Sequence, residues 1–152
     1  MADVNAVVSE QVGIVELGDV CVTMRSRSLD LFSALGAWVT TTEPGELQRL
    51  FAEACHRHAW HAALWEARSP TIRVPATAAP EFERLDPADV GTDANESRRD
   101  RYRARLSAIE DDLRALRARI DPTLDPSTAR TIDLVGRDVV ELADRLDALR
   151  TR

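Results

Sequence analysis

The strongest constraint on the fold is the spacing of apolar residues, which follows a helical period in four stretches of the chain. In each stretch apolar side chains recur every three or four residues, the spacing that places them on one face of an α-helix. The pattern predicts helices over residues 8–39, 44–67, 94–120 and 126–150. We therefore expect an all-α protein.

Two polar residues are expected to cap these helices. Thr42 precedes Glu43 and Pro44, which suit a first helical turn, and it is a candidate N-cap of the second helix. Asp125 precedes Pro126 and is expected to cap the fourth helix in the same way.

The connection over residues 68–93 decides how the helices can be arranged. It is rich in proline and has no helical period, so it should run as an extended chain. About 25 residues at about 3.3 Å each reach about 80 Å, well beyond the ~37 Å of a 25-residue helix. The other two connections are short, so helices one and two, and helices three and four, should form antiparallel hairpins.

Two hairpins joined by a long crossover form the ferritin-like arrangement of a four-helix bundle. We expect residues 1–152 to form one such domain. The alternative is a helical hairpin followed by a separate coiled-coil hairpin.

Composition excludes several classes of function. The chain has 152 residues, 44% of them hydrophobic and 30% charged, which argues against wholesale disorder. A net charge of −6 does not favour nucleic acid, and the arginines of residues 98–105 are offset by nearby acids. Neither a signal peptide nor a membrane-length apolar run is evident, and two cysteines are too few for a disulfide scaffold. We expect a cytoplasmic protein that binds neither nucleic acid nor membrane.

Metal-capable side chains are concentrated in residues 51–66. This segment holds all three histidines, Cys55 and two of the three tryptophans. Glu53 and His56 form a Glu-x-x-His pair, the motif found in carboxylate-bridged di-iron bundles.

Two blocks carry a family resemblance: LFSALGAWV over residues 31–39 and CHRHAWHAALWEARSP over residues 55–70. They resemble small actinobacterial proteins of the ferritin-like superfamily, whose second helix has a similar His/Trp-rich stretch. The resemblance implies a fold more than a reaction.

A ferritin-like di-iron site needs inward carboxylates on two helices and inward Glu-x-x-His pairs on the other two. At about 100° per residue, Glu53 lies roughly 120° from the apolar stripe of its helix and His56 nearly opposite it. Glu16 only flanks the stripe of the first helix, and Asp138 and Glu141 fall on the outward face of the fourth. We therefore expect no standard di-iron site. If one were present, Glu53, His56 and Glu16 would be its candidate ligands.

The inward polar residues are His58 and His61, one turn apart and expected at the level of Cys21 or Met24. Two imidazoles and a thiolate would suit a transition-metal ion. Alternatively, the histidines are bonded to the backbone or to each other and Cys21 is an apolar filler. Two close histidines could also make the core sensitive to pH.

Trp60 lies off the core stripe with His56 and Leu64 one turn away on either side. An exposed tryptophan on a bundle face indicates a partner surface or a covering segment, either a second copy of the chain or the proline-rich crossover. The sequence contains neither a Gly-rich phosphate loop nor a nucleophile elbow. The sequence therefore predicts a binding or assembly module, with a protein partner or a homodimer and no cofactor. The alternative is a metal-binding protein or oxidoreductase centred on the second helix.

Overall fold

The computed structural model describes residues 11–71, 80–88 and 94–150, which contain four α-helices and no β-strand. The helices are α1 (Ile14–Thr41), α2 (Glu46–Arg68), α3 (Ala94–Arg117) and α4 (Pro126–Arg150). The prediction of an all-α, four-helix protein is confirmed. No helix in this part of the chain is long and apolar enough to cross a membrane.

Helix α1 starts at Ile14, since residues 11–13 are not helical; residues 8–10 of the expected helix lie outside the described residues. Helix α3 ends at Arg117, three residues before the expected end, and passes into a turn. The N-cap of α4 is as predicted, because the backbone N–H of Thr128 donates to Asp125 Oδ1 at 3.0 Å.

Thr42 does not cap α2, contrary to the sequence prediction. Its hydroxyl donates to the carbonyl oxygen of Trp38 at 2.7 Å, so this residue closes the end of α1. Helix α2 begins at Glu46, with Gly45 at its N-cap position. The hydroxyl thus satisfies an unpaired carbonyl of the preceding helix and not an N–H of the following one.

The two predicted hairpins are antiparallel. Residues near the end of α1 contact residues near the start of α2, and residues near the start of α1 contact residues near the end of α2. The contacts are Gln48–Val39, Cys55–Phe32 and Arg25–Glu66. Ion pairs between α3 and α4 have the same reversed order, Arg103 with Asp147 and Arg117 with Asp133.

The hairpins pack on each other through α2 with α4 and α1 with α3, again antiparallel. Polar contacts along α2 and α4 join Arg68 to Asp125, Arg57 to Glu141 and Arg145 to Glu53. Contacts between α1 and α3 join Glu16 to Arg119 and Arg27 to Asp112. Since each helix is antiparallel to both neighbours, α2 and α3 run in the same direction, and the chain must travel the length of the bundle between them.

The described part of this crossover, residues 80–88, lies along α1 and α3 without helix or strand. Leu85 is buried, and its N–H donates to Asp30 Oδ2 at 2.9 Å. The indole N–H of Trp38 donates to the carbonyl of Pro87 at 3.2 Å. The predicted crossover residues 72–79 and 89–93 lie outside the described residues.

All four helices contribute to one hydrophobic cluster, which Leu85 of the crossover joins. Its centre is aromatic: the rings of Trp38 and Phe51 are 5.5 Å apart, and those of Phe51 and Tyr102 are 6.3 Å apart in an edge-to-face arrangement. Because α2 packs into this cluster, the histidines on its inward face lie inside the bundle.

Two tryptophans of α2 test the packing, because Trp65 is 1% exposed and Trp60 is 44% exposed. Trp65→Ala should lower the free energy of unfolding by about 3–5 kcal/mol, since it leaves a cavity in the core. Trp60→Ala should lower it by about 1 kcal/mol or less. Urea unfolding followed by far-UV circular dichroism measures both values, and equal losses would contradict the assigned orientation of α2.

Candidate functional site: a buried histidine cluster and an exposed apolar stripe

His58 and His61 occupy the inward face of α2 and are each 1% exposed. Their ring centroids are 5.3 Å apart, with the planes at 85°. His58 Nε2 lies 2.8 Å from the hydroxyl of Tyr102 on α3, and His61 Nε2 lies 2.9 Å from Asp138 Oδ2 on α4. We call these four residues the histidine cluster.

The position of Asp138 corrects the sequence analysis, which placed it on the outward face of α4. Its carboxylate is largely buried and accepts from both His61 and Arg57. Glu141 was placed outward as well; it is half-exposed but pairs with Arg57 at 2.9 Å. The reason is that α2 is a neighbour of α4, so the flank of α4 that a helical wheel assigns to solvent instead lines the seam between the two helices.

Hydrogen bonding fixes the state of one imidazole. With a carboxylate oxygen accepting this hydrogen bond, neutral His61 carries its hydrogen on Nε2 and has a lone pair at Nδ1. Tyr102 can donate to or accept from His58 Nε2. The Nδ1 atoms of both histidines are buried and have no hydrogen-bond partner among the described residues.

Burial sets the charge of the cluster. Desolvation lowers the pKa of His58 well below its ordinary value, and the nearby His61 lowers it further. Desolvation also lowers the pKa of His61, although the hydrogen bond to Asp138 opposes the shift. Burial raises the pKa of Tyr102 well above its ordinary value. At neutral pH both imidazoles and the phenol are therefore uncharged.

A set of ion pairs closes the solvent side of the cluster. Arg57 bonds Glu53 at 2.7 Å, Glu141 at 2.9 Å and Asp138 at 3.3 Å, and Arg145 bonds Glu53 at 2.8 Å. The hydrogen bond from Arg145 is the main cause that holds the pKa of Glu53 below its ordinary value. Glu53 is thus an ionised partner of two arginines.

The structure separates the residues named as alternative di-iron ligands. Glu53 lies in these ion pairs, His56 is exposed, and Glu16 is bonded to Arg119 between α1 and α3. Across residues 11–71, 80–88 and 94–150, no three His, Cys, Asp or Glu side chains form a group that could hold a metal ion. These residues do not form the ligand set of a ferritin-like di-iron site.

Cys21 does not join the two histidines. It is buried, and the charged groups that influence its thiol are Arg68 and Asp125, close to the end of α2 and the start of α4. Burial raises the pKa of the thiol to about 11. Without a metal ion, Cys21 is therefore a protonated thiol that packs as a small apolar side chain.

The three residues predicted to form an interface differ in exposure. His56 and Trp60 are exposed, whereas Leu64 is half-buried and packs against the core cluster. The described crossover residues 80–88 contact α1 and α3 and leave Trp60 exposed.

An apolar stripe on the outer face of α1 was not predicted from the sequence. Val15, Val22 and Leu29 are exposed at intervals of seven residues, and Phe32 is exposed one turn beyond Leu29. We call these four residues the α1 outer stripe. The seven-residue spacing was a detectable signal, because these residues fall outside the core stripe that runs from Leu17 to Trp38.

Comparison of the chain with protein-family models, with curated proteins and with solved structures finds no match.

The depressed pKa values of His58 and His61 predict acid-sensitive stability. Below about pH 6.5 the unfolded chain binds protons that the folded chain refuses, so the free energy of unfolding should fall as pH drops. The limiting slope is about 1.4 kcal/mol per pH unit for each histidine. Carboxylates contribute mainly below about pH 5, so the window between pH 6.5 and 5 reports the histidines.

Urea unfolding at pH 7.5, 6.5, 5.8 and 5.2 measures this dependence. His61→Gln should make it shallower, and His56→Gln, which alters an exposed histidine of the same helix, should leave it as in the wild type. An unchanged slope in His61→Gln would contradict the assignment.

Proposed function

We propose that this protein is a binding or assembly module that docks through the outer side of the α1–α2 hairpin. The observation that carries the proposal is the uneven distribution of charge and of exposed apolar side chains. Of the eight large apolar residues exposed in the described part of the chain, six lie on α1 and α2. Exposed large apolar side chains that are concentrated on one pair of helices are typical of a protein contact site.

Helix α1 has five charged residues in 28, and only Asp19 and Arg25 lie beside its outer stripe, each one turn from Val22. Glu16 and Arg27 pair with α3, Asp30 accepts from the crossover, and Arg25 pairs with α2. Asp19 lines the groove between α1 and α3. Helix α3, by contrast, has twelve charged residues in 24. Depletion of charge is the feature that marks the core of a protein interface.

Trp60 is the expected anchor on the α2 side of this surface. It is 44% exposed, His56 is exposed one turn before it, and Leu64 connects it to the core. Tryptophan carries a large share of the binding energy when it lies near the centre of an interface. Phe32 is the exposed aromatic residue of α1, and its carbonyl accepts from Cys55 of α2.

The proposed fold is a ferritin-like bundle that lacks a complete di-iron site, and this fold is compatible with a binding function. It is supported by the two antiparallel hairpins, by the crossover along α1 and α3, and by the use of Glu16 and Glu53 in ion pairs with arginine. A bundle that does not use its interior for chemistry still offers its outer faces for binding.

Light scattering across a dilution series tests the docking surface. We expect the wild type to associate reversibly above the 16.9 kDa of one chain. Trp60→Ala should weaken the association by on the order of 2 kcal/mol, about thirtyfold in the dissociation constant, because it removes an interface tryptophan.

Val140→Ala is the matched control, since Val140 is 41% exposed but lies on α4. It should leave the association unchanged. A wild type that remains a single chain at all concentrations, or an equal effect of both variants, would contradict self-assembly through this surface.

One observation favours a second candidate, a metal-binding protein or oxidoreductase. The unpartnered Nδ1 atoms of His58 and His61 could bind a transition-metal ion, while Asp138 and Tyr102 hold the opposite nitrogens. A carboxylate behind a ligating histidine orients the ring and increases its basicity. In this candidate His58 Nε2 donates to the Tyr102 oxygen, so that its Nδ1 has a free lone pair.

Elemental analysis of protein purified without an affinity tag tests this candidate. It predicts about one metal ion per chain, lost in His61→Ala and retained in His56→Ala, with folding checked by circular dichroism. Two irons per chain, lost in Glu53→Ala, would instead restore the di-iron enzyme. Metal-free protein that takes up none of Zn²⁺, Ni²⁺ or Cu²⁺ in a titration would remove the second candidate.

A further inference from the structure

We infer that the α1 outer stripe is the seam of a homodimer, in which α1 packs antiparallel on α1 of a second copy and the two-fold axis passes beside Val22. The inference rests on the proposed docking function and specifies its partner and geometry.

The spacing of the stripe points to a helical partner. Val15, Val22 and Leu29 repeat every seven residues, which keeps apolar side chains on one line against a neighbouring helix. They continue along the helix for about 21 Å at 1.5 Å per residue. The opposite apolar stripe of α1, from Leu17 to Trp38, is already buried against the core.

The symmetry of the stripe points to a second copy. Val15 and Leu29 lie seven residues to either side of Val22. In an antiparallel pair centred on Val22, each Val22 meets its equivalent and each Val15 meets a Leu29 of the other copy. Val15, Val22 and Leu29 of each copy then all have apolar partners, and the contact closes on itself as a two-fold interface requires.

Small residues beside these positions suit a close contact. Gly18, Ser26 and Ser33 share the outer face with the stripe. A methyl group added at Gly18 would meet nothing within 4 Å, so this position leaves room for a side chain of the other copy. Asp19 and Arg25 lie three residues to either side of Val22 and flank the stripe, so an antiparallel second copy brings an Arg25 to the level of each Asp19.

The net charge of the chain does not prevent α1 from packing on α1 of a second copy. Each chain carries −6, and two copies repel. Helix α4 contacts α2 and α3 and is therefore diagonal to α1, so its charges lie on the far side of the bundle from the seam. Screening over a Debye length of about 8 Å at physiological ionic strength limits their repulsion across a dimer.

Interface size brings α2 into the contact. A single helix pair about 21 Å long is narrow for a stable dimer, which buries roughly 1,200–2,000 Å². Ala59 and Ala63 lie on the half of α2 away from its core stripe, with Trp60 beside them. Their small side chains allow α1 of the other copy to approach, and Trp60 anchors the part of the contact that α2 forms.

Disulfide trapping tests the register. In a Cys55→Ala background, with Cys21 buried, mild oxidation should convert Val22→Cys to a covalent dimer within minutes. Leu29→Cys alone should remain a monomer, because its two copies would be about 21 Å apart and a disulfide needs Cα atoms within about 7 Å. A mixture of Val15→Cys and Leu29→Cys should again give a dimer.

Val22→Arg supplies a second measurement without a cysteine. Val22 is 48% exposed, so the variant should keep the circular dichroism spectrum of the wild type. Its dimer dissociation constant should rise at least tenfold, because two arginines would meet at the axis.

The outcomes separate the inference from the function on which it rests. A wild type that associates, while Leu29→Cys crosslinks as readily as Val22→Cys or Val22→Arg associates normally, overturns the antiparallel seam and leaves the docking function standing. A wild type that remains one chain at every concentration overturns the seam together with self-assembly through this surface.

Discussion

The antiparallel contact between α2 and α4 holds this fold together, because it joins two hairpins that are otherwise connected only by the crossover and by α1 with α3. Its polar partners recur along the whole contact: Arg68 with Asp125, His61 with Asp138 and Arg145 with Glu53. Buried and half-buried polar groups are costly unless they are paired, so a shifted register would leave several of them unsatisfied. The same contact buries the histidines and forces α2 and α3 to run in the same direction, which makes the long crossover necessary.

The helices and the crossover could be predicted because each depends on local information. Apolar period, proline content and connection length are properties of consecutive residues, and Asp125 before Pro126 is a local capping signal that the structure confirms. Thr42 shows the limit of such signals. It has the right residue type for an N-cap, but the carbonyl of Trp38 is within reach of the same hydroxyl and takes the hydrogen bond.

The inward position of His58 and His61 followed from the period of α2, but their partners did not. Tyr102 is 44 residues from His58 in sequence, and Asp138 is 77 residues from His61. A helical wheel separates the core side of one helix from its solvent side, and it contains no information on which helix lies beside each flank. Asp138 was therefore misplaced, and Cys21, correctly predicted to be inward, was assigned to the wrong level of the bundle.

The same limitation explains why the α1 outer stripe escaped notice. A single apolar stripe is enough to identify a helix, and the wider stripe from Leu17 to Trp38 accounts for the core. Only after those residues are assigned does the seven-residue repeat of Val15, Val22 and Leu29 stand out as surplus apolar surface. Helices α3 and α4 cover their outer faces with charge, as a helix facing water usually does. Helix α1 has one apolar face toward the core and a second apolar face on its outer side. This pattern is typical of a helix that packs against neighbours on both sides.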